Sequence, residues 1–474
     1  MNSVPRLPED GEEPSSFVAK GPPRSAWVAF VVALLLVSAV GLSSLWTASL
    51  NRPESQRNSD FQILHAAGRG LVEQRDIHDP DVLDEIGRRD GRPATPFCAS
   101  NPLVIRTFGL LSEKDVHSAY RVGLIINGCL AVLAVILLAG VVRALGRDAH
   151  REGEQAMSSL VSRGRFPWMA LAFGLVALGL GEGLWMSLAM NTTNVLALVA
   201  LLAALQAACA GRPALEGTCL AIALVAKTSP VLMLLIVLLA GRWRVALWAM
   251  AVTGVLAIVS IAWSGWAVHE SWAVHVLPVL GYAPEVTPGS FNNSLHAWNL
   301  APNGLLTRTM LGANAPRLFA LLGAWLVTGL VFVQLYGALK RKPGRDGDVA
   351  HVQNKGTPPA ANASTYVREY ALGITAMLLV SSVTWPHHLV LLAIPAIWFL
   401  WCVTRAIKGR SAMGPALVGL MCFVGLALPL GTFDESPNMS VGIAARTAML
   451  VVLFAVLVPR EQTSRPGQST SASA

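Results

Sequence analysis

An acid, a lone cation and a pair of imidazoles are the side chains of this chain best suited to chemistry. Asp60 follows an uncharged run, Ala26 to Leu50, and opens a segment of helical periodicity. A carboxylate there can take a proton from an attacking hydroxyl. It can equally be an acid that complements the positive end of a helix. Lys227 sits in an apolar run beside Thr228, Ser229 and Pro230. An ionisable group at membrane depth is a functional candidate, suited to neutralising a phosphate, or it snorkels to the surface. Trp385-Pro386-His387-His388 lies between two apolar runs. Adjacent imidazoles at a helix start can donate to a phosphate or a sugar, or the cluster can anchor at the interface. A metal site is not expected, because neighbours on a helix diverge by about 100° and no third ligand stands near.

Asn191 and Asn194 stand one helical turn apart between two apolar runs, and Asn292, Asn293 and Ser294 lie in a segment rich in Gly and Pro. Asn191 and Asn194 can hydrogen-bond a sugar or serve as ordinary loop polar residues; the segment of Asn292, Asn293 and Ser294 can fold over a site as a lid or be an ordinary connection. Glu182 reads as a loop residue. There is no Gly-rich phosphate loop, no His-Glu-x-x-His and no Gly-x-Ser-x-Gly, which argues against a nucleotide-driven transporter and a soluble-type nucleotide-sugar enzyme.

The elements that must position these residues are membrane helices. Of 474 residues, 53% are hydrophobic and 14% charged, where a soluble domain carries about 25% charged residues. Apolar runs long enough to cross a bilayer recur along the chain. Twelve spans are expected, near 26–50, 120–142, 167–188, 191–211, 213–226, 228–241, 244–266, 314–338, 367–385, 387–404, 412–431 and 441–458. The net charge of +8 resides largely in short loops between them, so it reports topology and not a nucleic-acid partner. Placing the basic loops in the cytoplasm puts both termini there, with a polar tail over 1–25, a mobile loop rich in Gly, Pro, Ser and Thr over 343–365 and a disordered C-terminal tail over 460–474. The opposite face then receives segments 51–119 and 267–313, framing a membrane domain over 26–459. The first of these predicts an amphipathic helix from Ser59 lying at the membrane surface and a second, charged helix from Asp79-Pro80, with a turn at Asp90-Gly91-Arg92-Pro93. Six cysteines without a Cys-x-x-Cys pair predict neither a disulfide framework nor a zinc site.

One stretch tests the topology. Arg212 and Arg242 both belong on the cytoplasmic side, but 29 residues separate them, and an out-and-back crossing needs about 40. Residues 213–241 are therefore expected to be two half-helices turning at Lys227-Thr228-Ser229-Pro230. The competing reading is one long helix kinked at Pro230.

Four of these stretches, in order, resemble glycosyltransferase family 87. Ser59-Asp60-Phe61 with His65-Ala66-Ala67 and His78-Asp79-Pro80 is similar to the family's acidic first outer loop. Lys227-Thr228-Ser229-Pro230 resembles its Lys-Pro-x-Pro turn, and Asn292-Asn293-Ser294-Leu295 its Asn-Gln-Ser-Leu. Ser381 to His388 resembles its Ser-Pro-x-Ser-Trp-x-His-His. Two stretches depart: Phe97-Cys98-Ala99-Ser100-Asn101-Pro102-Leu103 stands for Tyr-Pro-Pro-Leu, and Met190-Asn191-Thr192-Thr193-Asn194 for Gly-Gln-x-Asn. The resemblance implies an all-α polytopic membrane enzyme of the GT-C fold in a bacterial inner membrane, with its site on the periplasmic or extracellular face. It implies inverting transfer of a hexose, mannose above others, from a polyprenyl-phosphate donor to a hydroxyl of a lipid or glycan acceptor. Asp60 would be the general base and Lys227, His387 and His388 the donor-phosphate ligands. Asn191, Asn194, Asn293 and Ser294 would contact sugar or acceptor. No cofactor or metal is implied, and membrane lipids are the remaining partners. An arabinofuranosyl transferase, a lipid-linked-sugar flippase and a non-catalytic envelope scaffold are the alternatives.

Overall fold

The computed structural model describes residues 59–89, 98–151, 182–277, 299–302, 305, 317–340, 363–381, 384, 386–406, 413–427 and 437–458. Among the described residues there is no strand. The outer segment folds as α1 (Ser59–Val72), α2 (Pro80–Arg89) and α3 (Pro102–Gly109). A long helix, α4 (Val116–Arg151), follows, then α5 (Glu182–Ala189), α6 (Asn194–Cys209), α7 (Pro213–Ala226), α8 (Val231–Leu239) and α9 (Trp243–Ser264). A short α10 (Trp266–Ser271) runs into a π-helical turn, Trp272–Val276. The rest comprises α11 (Arg317–Lys340), α12 (Ala363–Val380), a 3₁₀ segment Pro386–Leu392, α13 (Ala393–Ala406), α14 (Met413–Ala427) and α15 (Pro437–Leu457).

Three described segments are long and apolar enough to cross a membrane: Val116–Asp148, Trp243–Ser264 and Pro386–Val403. The outer faces of α4, α9 and α11 present Ile125, Ile136, Leu247, Ile258, Leu326 and Val333 to the surroundings. Faces of that size and apolarity suit acyl chains and not water. On α9, exposed Trp243 and Trp248 stand towards one end and Trp263 at the other, with exposed Trp266 just beyond. Its 22 residues cover about 33 Å, and the indoles sit where headgroups would lie. Guanidinium groups cover both ends, Arg244 over Trp243 at 5.5 Å and Arg106 over Trp263 at 5.7 Å. The expected span at 26–50, most of that at 167–188 and the turn at 90–93 lie outside the described residues, as do the two tails and most of the loop at 343–365.

Residues 194–264 zigzag. The helix α6 ends at Gly211 (φ +67°) and α8 at Gly241 (φ +77°). Both are conformations that a side chain would strain. In each turn the following arginine amide closes back onto the helix, Arg212 on Ala207 and Arg242 on Val237, a Schellman closure. Between them the chain breaks at Lys227–Pro230, as the arginine spacing requires. The competing single helix is ruled out by one contact. Arg242 Nη1 lies 2.5 Å from Glu216 Oε1, whereas 26 residues of continuous helix would hold them about 39 Å apart.

That ion pair anchors the hairpin. Arg242 also meets Glu369 of α12 at 2.9 Å, and the Tyr370 hydroxyl donates to Glu216 at 2.9 Å. The guanidinium lies 4.9 Å over the Tyr366 ring. Two carboxylates thus share one cation in an interior where neither can stand alone. Replacing Arg242 with Leu strands both, at a cost of about 3–5 kcal/mol. The expected result is a clear drop in the midpoint of thermal unfolding, followed by tryptophan fluorescence in detergent. Lys at this position should recover only part of the loss, because it lacks the fork that serves two acids.

Candidate active site

Asp60 lies in the first turn of α1, and its neighbour Phe61 fixes that turn. Phe61 is fully buried, edge-on to Phe108 of α3 at 5.8 Å and to Tyr120 of α4 at 5.5 Å. Leu64, Ala67 and Leu71 continue the buried face, so the amphipathic helix spends its apolar side on protein. At Gly68 a methyl group would strike the backbone of Gly109. The crossing of α1 and α3 therefore needs glycine there. Tyr120 carries the anchorage onward: its hydroxyl donates to the Ala189 carbonyl at 3.0 Å.

The Lys227 turn is a part-buried helix end, whose last carbonyls lack helical partners. Two are supplied from elsewhere. Asn101, the N-cap of α3, donates to the Val225 carbonyl, and the Thr193 hydroxyl donates to that of Ala226 at 2.9 Å. Irregular backbone at membrane depth is tolerated under this condition. Lys227 leaves the helix in extended conformation (φ −157°, ψ 138°), and its ammonium donates to Asn194 Oδ1.

His387 and His388 occupy a 3₁₀ segment, not the first turn of an α-helix. The segment is seated on α5. Ser187 donates to the His387 carbonyl at 2.9 Å, and a Cβ at Gly183 would collide with the backbone at Leu389 and Val390. The two imidazoles meet edge to face at 4.6 Å and are buried. His387 Nε2 lies 3.8 Å from Asp60 Oδ2, and the carboxylate side chain keeps 37% of its surface exposed. Its accessibility suits a group that must meet a second substrate. His387 Nδ1 has no hydrogen-bond partner among the described residues. The Lys227 ammonium stands within electrostatic range of Asp60, His387 and His388. Thus α1, the α7–α8 turn and the 3₁₀ segment bring one acid, one ammonium and two imidazoles together.

The two asparagines sit differently from what a direct sugar contact requires. Asn191 is buried with φ +50°. Its amide donates to the Tyr120 carbonyl at 3.1 Å and accepts from Asn127 at 2.5 Å. Asn194 is buried as well, and its amide is committed on both sides, to Lys227 and to Thr192. Asn191 ties the α5–α6 turn to α4, and Asn194 holds Lys227. Asn293 and Ser294 lie outside the described residues. Sequence reasoning passed over Ser187, which carries no signal of its own, and gave Thr193 and Asn101 no role beyond the departing stretches, although Asn101 stands as an N-cap before proline. Cys98, in the departing stretch, is buried within electrostatic range of Asp60. Burial pushes its thiol up to about 12, which keeps it protonated and unreactive. All six cysteines are free. Among the described residues no group of His, Cys, Asp and Glu has the geometry to hold a metal ion.

A family model described as glycosyltransferase family 87 matches residues 103–352. The chain belongs to glycosyltransferase family 87. The match covers just over half of the 474 residues. It takes in Lys227, Asn191 and Asn194, and leaves Asp60 and the histidine pair outside it. A comparison with curated proteins returns no match. The protein is therefore a membrane glycosyltransferase, acting on a sugar donor and an acceptor.

Beside the site, the turn after α1 docks on the segment after α9. Ser271 donates to Asp76 at 3.1 Å. His78 is buried there, and neither ring nitrogen has a hydrogen-bond partner among the described residues. Burial pulls its pKa down to about 4, with Asp76 opposing and His275 and His269 reinforcing the shift. The folded state thus disfavours the imidazolium. The associated stability is complete above the ordinary histidine pKa and is lost as pH falls towards 4, up to about 3 kcal/mol. Hydrogen exchange across residues 73–89 should accelerate as pH is lowered from 7 to 5, after correction for intrinsic rates, and His78→Phe should flatten that dependence.

The seat of the histidine pair gives a separate expectation. Gly183→Ala must displace the 3₁₀ segment, since its methyl group meets backbone that cannot rotate away. Transfer activity should drop by at least about tenfold, with each misplacement of an ångström costing up to about 10². The protein should remain monodisperse in size-exclusion chromatography.

Proposed function

We propose that this membrane glycosyltransferase moves a sugar, mannose above others, from a polyprenyl phosphate to a hydroxyl of a lipid or glycan acceptor with inversion. The reading rests on one juxtaposition: the Asp60 carboxylate beside His387, with Lys227 in range of both. The acceptor oxygen attacks the anomeric carbon as Asp60 takes its proton. The bond from that carbon to the phosphate oxygen breaks, through an oxocarbenium-like transition state of the kind seen in glycoside hydrolysis. The polyprenyl phosphate departs with its electron pair and needs positive charge rather than a proton. Lys227 is placed to offer that charge, and His387 and His388 to donate N–H hydrogen bonds; pre-placed donors of this sort are each worth about 10²–10³ in rate. Charge on the departing group is met by side chains, so the scheme calls for no cofactor and no metal.

The same geometry serves a polyprenyl-phosphate arabinofuranose donor, which differs in the ring and not in the phosphate. The match to a glycosyltransferase family favours transfer over carriage. In this reading twelve spans cross a bacterial inner membrane, both termini are cytoplasmic, and the pocket opens at the periplasmic or extracellular face. Support comes from the zigzag of α6–α9, which returns Arg212 and Arg242 to one side.

The decisive variant is Asp60→Asn in the purified protein with labelled polyprenyl-phosphate mannose. Transfer should fall by about 10²–10⁴, while donor binding stays as in the parent. Unchanged transfer would remove Asp60 as the base, and absence of transfer by the parent protein with every donor would remove the enzyme reading itself.

A further inference from the structure

We propose that Asn194 is a positioning residue that presents Lys227 to the donor phosphate as an uncompensated cation; this rests on the donor-phosphate reading above. An ammonium only donates, so Asn194 Oδ1 must be the atom facing Lys227. The amide orientation is then determined, and Nδ2 points the other way. It donates to Thr192 Oγ1 at 2.9 Å and reaches Ser187 Oγ and the His387 carbonyl, each at 3.4 Å. Ser187 itself donates to that carbonyl at 2.9 Å. One buried amide thereby sets the spacing between the ammonium on the α7–α8 turn and the backbone of the histidine segment.

The chemical type of this partner matters as much as its place. Among the described residues no carboxylate comes within ion-pair distance of Lys227 Nζ, and Asp60 acts on it only at longer range. A carboxylate at position 194 would be nearly the same shape and would cancel the charge. A neutral amide holds the ammonium still and leaves its charge for an incoming anion. Asparagine here is thus a choice against aspartate, made by the ligand and not by packing.

The two roles predict opposite rankings. Farnesyl phosphate and farnesol differ only in the charged head, so the ratio of their affinities for the full-length protein in nanodiscs isolates the phosphate contribution. Asn194→Asp should reduce that ratio by about tenfold or more, and Asn194→Ala by less. A packing role predicts the reverse, since Asp preserves shape and Ala does not, and it would weaken both ligands alike. An Asp variant that keeps the parent ratio, or an Ala variant that is the worse of the two, overturns the proposal. Should the Asp variant fail to fold, Asn194→Ala in a Lys227→Ala background decides. No further loss of the ratio supports the proposal, and an additive loss overturns it. If the parent protein binds both ligands equally, the donor-phosphate reading falls and takes this proposal with it. If the parent prefers the phosphate and the variants keep that preference undiminished, the Asn194 proposal alone falls.

Discussion

A helix that stops inside a membrane protein leaves carbonyl oxygens that water cannot reach, and the arrangement of this molecule follows from how they are satisfied. The end of α7 is such a stop. Its Val225 and Ala226 carbonyls are met by Asn101 from the outer segment and Thr193 from the start of α6. These bonds close the helix and also tie three parts of the chain to the turn that carries Lys227. Without them the break would be an unsatisfied cavity. With them it is a rigid shelf.

The opposite end of the same hairpin is held by charge. Arg242 reaches Glu216 and Glu369, and Tyr370 supports Glu216. A neutral bond set at one end and an ionic one at the other leave the hairpin little freedom to slide. The apolar core around α6, α12 and α13 fills the space between, with Leu198, Leu205, Ile374 and Phe399 buried in it. A smaller cluster of Phe61, Ala119, Tyr120 and Leu124 seats α1 on α4. The acid is thus positioned by aromatic packing, the cation by hydrogen bonds, and the imidazoles by a close backbone approach at Gly183.

Much of this could be read from residue types alone. The 29 residues between Arg212 and Arg242 pointed to a broken hairpin, because a full out-and-back crossing needs about 40, and the contact of Arg242 with Glu216 decides against the single kinked helix. The periodicity of Phe61, Leu64, Ala67 and Leu71 marked the buried face of α1, and Pro80 marked the start of α2. The inward direction of Asn191 and Asn194 was not legible, since a polar residue between two apolar runs looks the same whether it faces a ligand or a carbonyl. Nor was the 3₁₀ form of the histidine segment, which depends on the fit of α5 against its backbone. The partners Ser187 and Thr193 are ordinary small residues, and only a tertiary contact gives them meaning.

The contact between Asp60 and His387 has a bearing on biosynthesis. Its two halves lie hundreds of positions apart, and the ribosome delivers the second only after most of the bundle has been threaded into the bilayer. A nascent chain that has reached α12 already displays its acid and its ammonium but does not yet own the histidine pair to set beside them. The pocket is completed late, so a truncated or stalled translation product would carry an open cleft and no assembled centre.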